Sequence, residues 1–189
     1  MPGNFDFLKE QTEYALFADA CIEAERVLAT SPALAAAGCR KACELAVKWV
    51  YAADNTINMP YRDNLQSLIH EPSFRFALDE KTWSKLRYII NLGNLAVHTE
   101  KNISRSDAMQ SLAFLFEFVQ WIDYCFGANY EERRFDESLV PSESVFIDES
   151  KLREQQVLIE QKESEIERLQ AQIAAMSERL TAAKERHKE

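Results

Sequence analysis

The stretch SDAMQSLAFLFEFVQWIDYCF, residues 106–126, decides the fold. Its apolar side chains keep to no single stripe: Leu112, Phe114, Leu115, Phe116, Phe118, Val119, Trp121 and Ile122 go round nearly every side of a helix. A helix that is apolar all round sits at the centre of a domain or faces a partner on its second side. Ser104 or Ser106 is placed to cap its start, and Gly127 follows its end.

Working outward, the neighbouring segments also read as helices. Residues 10–29 place Tyr14, Phe17, Ala18, Cys21, Ile22 and Leu28 near one face at helical spacing. Ser31-Pro32 is an N-cap with proline at the first helical position, which predicts a second helix from Pro32 to about Tyr51. Its first half is thin (Ala35, Ala36, Ala37, Gly38) and suits close contact with another helix. DNTINMPY reads as a loop and YRDNLQSLI as a short helix packing Leu65, Leu68 and Ile69. Asp79 is placed to cap a helix from Glu80 to His98. With only four glycines and five prolines the punctuation is sparse, and no strand array shows. The expectation is an all-α helical bundle over residues 1–128.

After it the texture changes twice. Residues 129–150 are polar, contain Pro141, and read as an irregular arm or linker. In residues 151–189, Leu152, Ile159, Ile166, Ile173 and Leu180 recur every seven positions, with Leu169 and Met176 three residues after Ile166 and Ile173. That is the a/d seam of a coiled-coil helix, and self-association through it is expected. The pattern is still running at ERHKE, as in a fragment of a longer protein.

Charge and cysteine usage narrow the function. The net charge is −9, and residues 151–189 balance eight Lys/Arg against eight Asp/Glu, so the whole excess falls on the first 150 residues. An acidic domain is a poor non-specific binder of nucleic acid. Locally, Arg75, Lys81, Lys85, Arg87, Lys101 and Arg105 form a possible nucleic-acid face or an ordinary solvated one. Cys21, Cys39, Cys43 and Cys125 lie among apolar residues, with no second close pair or nearby His to complete a zinc set, so buried reduced thiols are expected. No apolar run approaches the ~20 residues of a membrane span. The N-terminus has no signal-peptide pattern, and the expected compartment is the cytoplasm.

Chemistry would have to come from LGNLAVH, residues 92–98. Asn94 and His98 share a helix face at i,i+4 and are the candidate catalytic pair: an amide and an imidazole can hold a phosphate and assist a 2′-hydroxyl attack. A cation would also be needed for the phosphoryl charge, and Gly93 offers no side chain. The alternative is packing, with Gly93 admitting a neighbouring helix and Asn94 and His98 hydrogen-bonding within the bundle. Packing is the expectation.

NFDFLKEQ near the start, the Pro60-Tyr61 segment with DNLQSLI, and KLRYIINLGNLAVH followed by the Trp121-containing helix together resemble the N-terminal domain of type I restriction endonuclease R subunits, over roughly residues 4–126. The domain also resembles the wider HEPN group of helical domains, whose active members cleave RNA through an Arg-Asn-x-x-x-His motif. Asn94 and His98 match its last two positions, and Gly93 stands where the arginine belongs. The resemblance implies a non-catalytic interaction or assembly region. Its parent would be a hydrolase of DNA restriction that uses ATP and Mg to couple DNA translocation to endonuclease cleavage. Its partners would be methylation and specificity subunits or other R-subunit domains, and DNA would be reached through that complex. No cofactor is expected in this region itself. HEPN-type RNA binding or cleavage through Asn94 and His98 is the alternative.

Overall fold

The structure is a computed structural model, and it describes residues 3–98 and 102–142. Among these residues every regular element is helical. After two 3-10 turns come α1 (Ala15–Val27), α2 (Pro32–Ala53), α3 (Leu65–His70), α4 (Pro72–Ala77), α5 (Glu80–His98) and α6 (Arg105–Phe126). The protein is an all-α helical bundle, as the periodicity predicts.

The helix starts follow from side-chain caps. Ser31 Oγ accepts from the Leu34 N–H at 3.3 Å, with Pro32 supplying a pre-set first turn. Asp79 accepts from Thr82 N–H at 2.9 Å, and Ser104 rather than Ser106 takes the Asp107 N–H at 3.0 Å. Each such cap is worth about 1 kcal/mol. Gly127 closes α6 in extended backbone (φ −70, ψ 142), not in the left-handed conformation that usually favours glycine there. The Asp123 carboxylate and carbonyl occupy the space a Cβ would need.

Two elements differ from expectation. The first helix begins at Ala15, because residues 6–10 and 12–14 wind as 3-10 turns that still bury Leu8 and Tyr14. The short α4 is an addition: Glu71 accepts from Ser73 N–H, Pro72 opens it, and Phe74 is its one buried side chain.

The hub of the bundle is α2, with α1, α5 and α6 packed round it and α3 at its end. Its inner positions are small, and Ala35, Ala36, Cys39, Ala42, Cys43 and Ala46 are fully buried, so helix axes approach closely. The apolar second side of α6 is covered by the chain itself. Phe116 takes Phe5 and Phe7 on edge at 5.7 and 5.9 Å, and Phe135 of the arm at 5.8 Å.

Through residue 142 the arm is irregular apart from a 3-10 turn at Glu137–Leu139, but it is no free linker. Residues 129–142 belong to the same compact unit as the helices, beyond the boundary expected at 128. Val140 is buried, Asn4 exchanges hydrogen bonds with the Asp136 backbone (2.8 and 3.0 Å), and Arg105 donates to the Leu28 and Pro141 carbonyls. The coiled-coil seam at Leu152, Ile159, Ile166, Leu169, Ile173, Met176 and Leu180 lies outside the described residues, as do Lys101 and the arm beyond residue 142.

Candidate functional site

The α2–α5 crossing carries the residues that sequence marks for chemistry. Gly93 is buried, and a Cβ there would meet the Arg40 stem and stand 3.0 Å from the Ala36 carbonyl oxygen. Glycine is therefore required by close approach, and the roughly 1 kcal/mol it costs in mid-helix is offset by the contact it permits. The packing half of the sequence expectation is met.

Its second half is not. His98 is exposed at the last turn of α5, and Asn94 is half-buried; neither makes a side-chain hydrogen bond to another described residue. The reason is geometric: Gly93 marks the point where α5 rests on α2, and positions 97 and 98 already point to solvent. An inter-helix hydrogen bond from His98 is thus replaced by a solvent-facing imidazole.

Sequence spacing could not reveal Arg40. It belongs to α2, yet its stem lies against Gly93, the position before Asn94. Its Nε is buried without a hydrogen-bond partner among the described residues. A cation that Gly93 itself cannot offer belongs at the crossing to another helix.

The basic stretch does not form one face. Lys85 pairs with Glu117 on α6 and lies over Phe114. Arg105 is spent on two carbonyls that tie down the arm. Arg75 and Arg87 instead converge on Trp83, their guanidinium carbons 4.5 and 4.9 Å from the ring centroid. His70 meets the same indole on edge at 5.4 Å, and Trp83 Nε1 donates to the Ile69 carbonyl at 2.9 Å. Lys81 is exposed.

The buried ionisable groups have structural partners. Glu25 is 2% exposed and accepts from Asn4 N–H and Nδ2. Burial raises its carboxyl above the usual range, and the Asn4 donors partly counter that. Asp123 accepts from Gln11 Nε2 at 2.8 Å and the Tyr14 hydroxyl at 3.1 Å, and pairs with Arg133. Cys21, Cys39 and Cys43 are buried thiols, as expected, and burial pushes Cys39 up to about 12. Cys125 is exposed, contrary to expectation: it lies in the last turn of α6, next to the exposed Tyr124. Among the described residues no group of His, Cys, Asp and Glu is arranged to hold a metal ion.

A small-residue hub helix, a glycine seam and a docked arm define a helical bundle domain whose conspicuous surface features are cationic and aromatic. The chain belongs to the family described as Domain of unknown function (DUF4145), whose model matches residues 22–138. No curated protein and no solved structure matches it.

Proposed function

We propose that this chain is the non-catalytic interaction and assembly region of a type I restriction-modification R subunit, acting in the cytoplasm. The observation that carries the reading is the use of LGNLAVH: Gly93 seats α5 on α2, so the signature serves the fold. No described helix is long and apolar enough to cross a membrane, in keeping with that compartment. In this reading the bundle presents a fixed surface to the methylation and specificity subunits or to other domains of the R subunit. ATP, Mg and DNA are handled by the parent protein, and the residues from 151 onward add self-association through their heptad seam. Co-expression of the chain with methylation and specificity subunits should give a complex that survives size exclusion. Separate elution of the chain, with turnover of DNA by the chain alone, contradicts the proposal.

A second reading is favoured by Arg40. With Asn94 and His98 it supplies the cation, amide and imidazole that metal-independent cleavage of RNA requires. RNA cleavage lost in Arg40→Ala and His98→Ala, with folding intact, would support it over the first.

A further inference from the structure

We infer that the Trp83 cluster on α4 and α5 is a docking surface for a short acidic segment of a partner protein, anchored by an apolar side chain on Phe76. Arg87 carries the argument. It is exposed, and its guanidinium rests on the Trp83 ring. Among the described residues it has no ion pair and no hydrogen bond, while the nearby carboxylates are engaged elsewhere. Glu71 accepts from Ser73, Asp79 from Thr82, and Glu80 pairs with Arg75. The contact with the ring positions the guanidinium while its N–H groups stay without a partner among the described residues, an arrangement suited to bidentate binding of a carboxylate.

The apolar anchor is on α4. Phe76 follows Arg75 on α4 and is 93% exposed. Asn58 N–H donates to Ser73 Oγ at 2.8 Å, which brings the loop bearing the exposed Met59 against the side of α4 shared by Ser73 and Phe76. A large exposed aromatic, one residue from the Arg75 that shares the Trp83 ring with Arg87, matches the composition of interface hot spots.

Charge selects the occupant. Of the basic stretch, only Lys81 and Arg87 make neither an ion pair nor a side-chain hydrogen bond among the described residues. Nucleic-acid binding rests on several phosphate contacts, and a polyanion extending past this cluster would meet a chain whose net charge is −9. A peptide bringing one or two carboxylates and ending there avoids that repulsion.

This inference rests on the docking-module reading and names the chemistry of its partner. Co-purification tests the module, whereas peptide titration tests the cluster, so each can fail alone. The experiment titrates the full chain with a short peptide alternating Glu and Leu, with its Gln-for-Glu analogue, and with oligouridylate. Saturable binding of the acidic peptide is expected, at least about tenfold weaker for Arg87→Glu and for Phe76→Ser, a loss of roughly 1.4 kcal/mol. The Gln analogue should not bind. Arg87→Gln, which keeps most of the stem, gives the same reading if charge reversal disturbs α5. Binding that is absent, or unchanged in the Arg87 variants, overturns the inference. So does tighter binding of oligouridylate that depends on Arg87, which would assign the cluster to nucleic acid.

Discussion

Glu25 shows how one side chain fastens two distant segments. Its carboxyl, buried in α1, holds the Asn4 backbone and amide, and Asn4 in turn holds the arm at Asp136. Because burial raises its pKa, the folded chain keeps the proton over a range where the unfolded chain has lost it. Stability from this group is therefore present below the ordinary glutamate value and falls as pH rises through the raised one. The melting temperature of the wild type relative to Glu25→Gln should decline as pH rises above the ordinary glutamate value. A difference that grows with pH would mean that the Asn4 donors outweigh burial. At the α2–α5 crossing, Gly93 was legible in the sequence, because mid-helix glycine has few other uses. Arg40 was not, since only the crossing of two helices reveals which residue of α2 faces it.

Among the elements, α2, α5 and α6 announce themselves through Ser31-Pro32, Asp79 and Ser104, residues whose side chains satisfy the first free N–H groups. The short α4 escapes the same reading. Its cap is a glutamate, an unusual choice, and one buried residue in six makes no periodicity. The arm is hidden differently: its composition is polar, yet Phe135 and Val140 reach the bundle while backbone groups make most of the bonds. Arg105 is one such tie, linking the arm at Pro141 to the end of α1 at Leu28. Arg105→Ala should cost about 1–3 kcal/mol. It should also speed hydrogen exchange selectively at the arm amides of Arg133 and Asp136, both hydrogen-bonded to side chains of the bundle. Uniformly faster exchange across all helices, with no excess in the arm, would contradict the assignment.

For the whole molecule, the all-α class and the buried faces of α1 and α3 could be read from spacing, because helical period and burial are directly coupled. The choice of hub could not. The all-round apolar α6 invites the central place, but α2, with smaller residues, holds it, since thin helices let three neighbours approach at once. The basic stretch misleads for a similar reason: residues adjacent in sequence part company when α5 is wedged between α2 and α6, leaving Lys85 on Glu117 and Arg87 on Trp83.

The account stands on the glycine seam between α2 and α5, and urea unfolding of Gly93→Ala tests it most directly. Helix propensity alone favours alanine by about 1 kcal/mol. A Cβ pressed on the Arg40 stem and the Ala36 carbonyl should reverse that sign and leave the variant about 1–3 kcal/mol less stable than wild type. His98→Ala, at an exposed position, should stay within about 0.5 kcal/mol of wild type in the same experiment. A Gly93→Ala chain as stable as the wild type, or more so, would contradict the packing role of LGNLAVH.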